Sequence, residues 1–297
     1  MASMARFDPK PTPLGGADLA RRVAPNSPGL AAFRVRAQVD YERSLSTLIE
    51  REIIPRLMIA HAPDEVDAAT TQIDAAEVEA LVPLSLEVEA DALLAHVEAI
   101  LARGVAVDAV MVDLLAPTAR LLGEYWEDDR CDFVDVTMGL WRLQEVVHEI
   151  AARAPAERML AAGGHRALFA SMPGDQHNFG TVVIDELFRR DGWVTDRLSE
   201  AETSDLLRRV GGDWFDLVGL TVSCDCHTAT LPSVIRALRN VSRNPRVCIM
   251  VGGRIFSADP DLAVRMGADG TARDARLALT VAADLIRVRE RELTACI

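Results

Sequence analysis

Long apolar runs are missing from this 297-residue chain. None approaches the roughly 20 residues that a membrane-spanning helix needs, and residues 1–28 lack the apolar core of a secretory signal. Cysteines are scarce too: there are five, an odd number at irregular positions, which argues against a disulfide framework and makes the cytoplasm the expected compartment. Positive charge is also short. With 32 basic against 45 acidic residues and a net charge of −13, the molecule as a whole lacks the phosphate-neutralising surface behind non-specific nucleic-acid binding. Residues 1–36 are a local exception, with Arg6, Lys10, Arg21, Arg22, Arg34 and Arg36 against Asp8 and Asp18. We read this basic stretch as a solvated terminus; direct contact with DNA through it is the lesser alternative. What the chain does have is 49% hydrophobic residues and a mean hydropathy of +0.11, enough for two domains with cores of their own.

Residues 1–30, with five prolines between Pro9 and Pro28, read as a flexible lead segment. Residues 31–155 read as a four-helix bundle. Its first helix runs from Ala31 through Leu45, Leu48, Ile49 and Ile53, past Pro55, to His61, and residues 62–74 form a loop. Leu93, Leu94, Val97, Ile100 and Leu101 make the next apolar stripe, which Gly104 ends. Val107, Val110, Met111, Leu114, Leu115, Ala119 and Leu122 make the third, with a bend expected at Pro117. Val136, Leu140, Leu143, Val147 and Ile150 make the fourth. An Ala/Gly/Pro-rich linker from Ala151 to Gly164 leads into a second domain over residues 163–297. There, strands near 166–172, 193–198, 216–223, 246–252 and 269–272 alternate with helices at 179–190, 201–210, 230–240, 258–266 and 274–292. Such alternation predicts a five-stranded parallel sheet with helices on both faces.

The most informative stretch is Asp175-Gln176-His177-Asn178-Phe179-Gly180, between the first strand and the helix that follows it. A loop there lies at the carboxyl edge of the sheet, where open α/β sheets bind ligands. Asp175, two residues before His177, is placed to bond one ring nitrogen, fix the tautomer and make the other nitrogen a better metal ligand. Gly180 lets a bulky group approach the backbone. Downstream come Thr221-Val222-Ser223 at the end of the third strand, Gly252-Gly253 at the end of the fourth, and Gly267-Ala268-Asp269-Gly270 at the fifth.

In order and spacing these motifs resemble the cobalamin-binding domains of methionine synthases, mutases, corrinoid methyltransferase proteins and cobalamin photoreceptors. The resemblance implies a flavodoxin- or Rossmann-like domain that binds adenosyl-, methyl- or hydroxocobalamin. His177 would be the lower axial cobalt ligand and Asp175 its support. Thr221, Ser223, Gly252 and Gly253 would line the passage for the cofactor's nucleotide tail. The usual Ser-x-Leu is kept only loosely, as Thr221-Val222-Ser223. Haem is a lesser substitute, which intact Asp175, His177 and Gly180 disfavour.

A helical bundle placed before such a domain resembles the cap over the upper face of the corrin. Light-sensing repressors of the MerR type carry there a Trp, nine residues, then Glu-His. Here Trp126 matches the Trp, but Val136 and Thr137 stand where the Glu-His pair belongs. Trp126 is therefore expected to cover the cofactor without holding an adenosyl group in the same way. His148 is a weaker candidate for an upper ligand, since it lies eleven residues beyond Thr137, about 16 Å along a helix. Cys224-Asp225-Cys226-His227 supplies up to three zinc ligands but no evident fourth. We read it as pocket lining, with redox sensitivity as a minor alternative. Arg236, Arg239, Arg243 and Arg246 make a basic patch, either a solvated face or a docking surface.

No enzymatic machinery is evident, since no catalytic barrel is present, and no helix-turn-helix segment precedes the bundle as in a MerR-type repressor. The chain resembles the AerR/PpaA-type antirepressors of purple photosynthetic bacteria in three stretches: residues 50–57, Trp126 with residues 133–140, and Asp175 to Gly180. That resemblance implies a light- and cobalamin-responsive regulator that binds a repressor of photosynthesis genes and relieves repression. The alternative is a corrinoid carrier of methyl groups in a methyltransferase system.

Overall fold

The computed structural model describes residues 72–153 and 164–295, all within one compact unit, 65–297. The expected lead segment and first helix, and with them the basic stretch, lie outside the described residues. Among these residues the bundle begins with a helix that periodicity did not suggest, α1 (Ala75–Glu87). Asp74 and Glu77 cap it reciprocally: the Glu77 amide donates to Asp74 Oδ1 at 2.8 Å, and the Asp74 amide to Glu77 Oε2 at 3.1 Å. Pro83 lies inside the helix and breaks the apparent pattern. No basic residue sits in its last turn. Instead the buried Arg142, from another helix, donates Nη1 to the carbonyls of Ser85 (2.9 Å) and Leu86 (3.1 Å), satisfying acceptors that a helix end leaves open.

The helix α2 (Ala90–Leu101) follows. Next comes a continuous helical run made of a single turn at Val107–Ala109, a π-helical stretch at Val110–Leu115 and α3 (Ala116–Glu127). Where a bend was expected at Pro117, a π stretch directly precedes the proline, and its wider turns accommodate it. The helix α4 (Phe133–Arg153) completes the bundle. Among the described residues four long helical runs thus stand together, α1 included.

The second half is a doubly wound sheet. Strands β1 (Arg166–Ser171), β2 (Val194–Leu198), β3 (Leu217–Thr221), β4 (Cys248–Gly252) and β5 (Gly270–Thr271) are all parallel, in the order β2-β1-β3-β4-β5. The helices between them are α5 (Phe179–Arg190), α6 (Thr203–Gly212), α7 (Leu231–Val241), α8 (Arg254–Ala258) and α9 (Asp261–Arg265), and α10 (Ala275–Ala295) closes the order. The single helix expected at 258–266 is two short ones, parted by Asp259-Pro260. One face of the sheet packs Leu168, Leu220 and Ile249 against Leu206, Leu231 and Phe256; the other packs Phe169, Leu217 and Met250 against Phe188, Ala278 and Ile286. No helix among the described residues is long and apolar enough to cross a membrane.

Helix α5 belongs to both halves. Phe188 faces the sheet, while Phe179, Val182, Val183 and Leu187 enter the core of the bundle beside Leu93, Met111 and Leu143. Arg190 bonds Asp108 at 2.7 Å, and Arg276 bonds Asp113 at 3.0 Å, at the margins of this junction. The strand order reverses between β1 and β3, so the crevice at their carboxyl ends is the expected ligand position.

Gly219, in the middle of β3, has no room for a side chain: a Cβ there would lie 2.7 Å from the Phe169 ring. That ring is wedged edge-on against Phe188, centroids 4.8 Å apart. Gly219→Ala should cost about 1–3 kcal/mol of stability in urea denaturation. A change under about 0.5 kcal/mol would mean that the Phe169 ring can move aside.

Candidate cofactor-binding site

The loop from β1 to α5 is folded by its own backbone. The Asp175 amide donates to the Met172 carbonyl at 2.8 Å, and Gly174 takes a φ of +88° that L side chains rarely adopt. Ser171 Oγ, at the end of β1, donates to the His177 carbonyl at 2.9 Å. The result is a buried Asp175 carboxylate, its side chain 2% exposed, under a His177 ring that is 70% exposed.

Asp175 is saturated with donors. It accepts from the His177 amide (3.0 Å), the Ser223 amide (2.7 Å) and Ser223 Oγ (2.6 Å), and it lies 2.9 Å from His177 Nδ1. Ser223 Oγ is also 2.9 Å from that nitrogen. Burial would push the Asp175 carboxyl up, but the hydrogen bonds from His177 and Ser223 outweigh it and hold the carboxyl well below the usual range. The bond to Asp175 in turn raises the His177 pKa above its ordinary 6.5. With Nδ1 engaged by the carboxylate, the neutral ring carries its lone pair on Nε2, on the exposed side.

Among the described residues no group of three or more His, Cys, Asp or Glu side chains could hold a metal ion. A lone, well-supported imidazole suits a metal that arrives with its equatorial ligands already in place, as in a corrin. Four further observations fit such a group with a long tail. A Cβ at Gly252 would meet nothing within 4 Å. Gly253, at φ +129°, would set a Cβ 2.0 Å from the Val222 carbonyl oxygen, so only glycine can make this turn. Thr271, paired with Val251 on the neighbouring strand, has a buried hydroxyl with no partner, as a site awaiting a polar ligand would. Gly180 keeps the gap above Thr221 open, since a Cβ there would lie 3.9 Å from the Thr221 methyl.

The sequence reading gave Thr221 and Ser223 to the nucleotide tail. The structure commits Ser223 to the Asp175–His177 pair, while Thr221 makes only a long 3.5 Å bond to Ser171 Oγ. Trp126, at the end of α3, is 47% exposed. Its neighbour Glu127 stands 4.0 Å from Arg254, so this end of the bundle lies by the turn after Gly253. His148 is not brought to the His177 loop: its carboxylate neighbours are Glu145 (3.9 Å) and Glu186, far down α5. One turn earlier Gln144 reaches the loop instead, donating to Asn178 Oδ1 at 2.7 Å. Thr137 Oγ1 is bonded within its own helix, to the Phe133 carbonyl at 2.7 Å. Trp141 and Met138, one and two turns before Gln144, are exposed, as are Phe133 and Val134. The sequence reading missed Trp141 and Gln144, although helical spacing from Thr137 puts both on one face. Of the arginine patch, Arg239 is spent on Asp269 (2.9 Å) and the Gly267 carbonyl (3.0 Å), and Arg243 on the Gly212 carbonyl (3.0 Å).

These shifts have signs that can be checked. His177, with its folded pKa raised above 6.5, contributes stability that is full below the unfolded value and lost as pH rises through the folded one. Asp175, depressed below 3.8, contributes stability present above that value and lost as acidification passes through its folded one. In the cofactor-free protein Asp175→Asn should return the His177 midpoint toward about 6.5 in an NMR titration of the ring protons. An unmoved midpoint would show that the carboxylate is not the cause.

Residues 165–280 match the family described as B12 binding domain. Over 176 residues, 59% of this chain and 91% of the relative, the protein is 27% identical to an uncharacterized 20.5 kDa protein in the bchF–crtJ intergenic region of Rhodobacter capsulatus. Among solved structures the monomethylamine corrinoid protein of Methanosarcina barkeri superposes with a TM-score of 0.57 at 15% identity, covering 74% of this chain and 98% of that one. At that identity the likeness is one of fold. The sheet-bearing part of the chain, with His177 at its carboxyl edge, is the part that matches the B12 binding domain, and cobalamin is the cofactor this match supports.

Proposed function

We propose that this protein is a light-responsive antirepressor, which uses bound cobalamin to control its grip on a DNA-binding repressor of photosynthesis genes. The observation that carries the reading is the position of the bundle. Helix α4 is bonded to the His177 loop through Gln144 and Asn178, and the same helix presents the exposed Met138 and Trp141. A relative encoded between bchF and crtJ supports the photosynthetic setting.

When bound, cobalamin supplies a cobalt–carbon bond that visible light breaks. The protein's residues do the rest. His177 would hold the cobalt through Nε2, with Asp175 and Ser223 keeping the ring from rotating. Gly252 and Gly253 leave the tail its passage. Trp126, Met138 and Trp141, all exposed, would cover the cofactor's other side. A change in that upper group biases the bundle only through contacts that differ between two arrangements, and the Gln144–Asn178 and Glu127–Arg254 contacts are where such a shift would register. On this reading the chain is a binder and not a catalyst, working in the cytoplasm with a protein partner.

The test is an absorption spectrum of the protein loaded with adenosylcobalamin in the dark and again after green light, alongside binding to a candidate repressor. The expected outcome is a corrin spectrum that shifts on illumination, with repressor affinity differing between the two states. His177→Ala should lose the histidine-ligated spectrum or the cofactor. A bound corrin indifferent to light would favour the corrinoid methyl carrier, to be checked by methylation with a candidate methyltransferase. Equal repressor affinity in both states would sink the switch.

A further inference from the structure

The segment after β3, Cys224-Asp225-Cys226-His227, has no task in the site as described, yet it adjoins it on two sides. Ser223, which holds Asp175, immediately precedes it. His227 lies against the other end of the His177 loop, where a Cβ on Gly174 would be 3.5 Å from its ring. The segment is a 3₁₀ turn, Asp225–His227, capped by a sulfur: Cys224 Sγ accepts from the Cys226 amide at 3.1 Å. Both thiols are exposed; in the reduced pair a hydrogen bond to Cys224 raises the Cys226 pKa, an effect that ends once Cys224 Sγ is bonded to another sulfur. The other described cysteines differ. Cys248 is buried, and burial together with the Asp135 and Asp132 carboxylates pushes the half-buried Cys131 thiol up.

We propose that Cys224 and Cys226 form a thiol–disulfide exchange site for low-molecular-weight disulfides, and that closing the disulfide loosens Ser223 from Asp175. The thiolate of Cys224 attacks one sulfur of the small disulfide, breaking its S–S bond and releasing one small thiol. The thiolate of Cys226 then attacks Cys224 Sγ and releases the second. Two electrons pass to the reagent, and the two cysteine protons end on the two small thiols. The spacing of the two cysteines, one residue apart in a tight turn, and their exposure favour this closure over a lasting mixed disulfide. The new bond takes Cys224 Sγ from the amide that it caps, so the turn must rearrange at its first residue. Ser223 is bonded through both amide and hydroxyl to Asp175, and it is the next residue back. The proposal goes beyond the regulator reading and stands independently of it.

The experiment equilibrates the cofactor-free full chain in reduced/oxidised glutathione buffers. It then blocks free thiols, maps peptides by mass and follows amide hydrogen exchange. The expected result is a peptide holding both Cys224 and Cys226, short of two hydrogen atoms and unreactive to the blocking reagent. This species should be absent in Cys226→Ser and retained in Cys131→Ser. In the oxidised chain the Ser223 amide should exchange about tenfold faster, as a lost hydrogen bond would allow. A pair that stays reduced in fully oxidised buffer, or that carries only glutathione adducts, overturns the exchange site. A disulfide that leaves Ser223 exchange unchanged overturns its link to Asp175.

Discussion

The Asp175 carboxylate is the point on which the site depends. A buried, ionised carboxylate is costly unless every lone pair is met, and here the backbone and side chain of His177 and of Ser223 meet them. The same bonds that make the charge tolerable fix the imidazole. Orientation of the ring, choice of tautomer and placement of the loop are therefore one constraint. None of them can be changed without leaving a buried charge short of partners, which costs several kcal/mol.

Helix α5 carries that constraint outward. It begins directly after the His177 loop, and its two sides belong to different cores, Phe188 to the sheet and Phe179, Val182 and Val183 to the bundle. The bundle is thus seated on the element that the ligand loop starts. Glu186 shows how tight that seat is: it is buried there, burial raises its pKa, and Arg189 beside it at 3.0 Å pulls the other way. A bundle mounted this way cannot slide along the sheet without repacking the α5 side chains.

Much of this was legible in the sequence, for identifiable reasons. The central strands β1, β3 and β4 are buried and read as short apolar runs; the edge strands β2 and β5 are not, and their places followed from the alternation with helices. Asp175 and His177 were legible because their contact is local, two residues apart. Ser223 was found as a residue but given a different neighbour, because its bond to Asp175 crosses 48 positions and depends on β3 lying beside β1. Helix α1 was hidden by Pro83, although the Asp74 and Glu77 pair that caps it stood in view. Trp141 and Gln144 were passed over because an exposed face carries no apolar periodicity to betray it. Whether a polar residue on such a face touches anything is decided by the neighbouring element.

The long span between the two halves of the ligand support has a kinetic side. His177 and Ser223 meet only when strands separated by another strand and two helices have paired, a contact of high sequence separation whose loop must be closed before it gives any return. A chain that has folded only as far as β2 has the histidine but not the serine that helps to hold its Asp. Metal sites made from neighbouring residues can capture their ion early and guide folding. This one is complete only once β3 has paired beside β1.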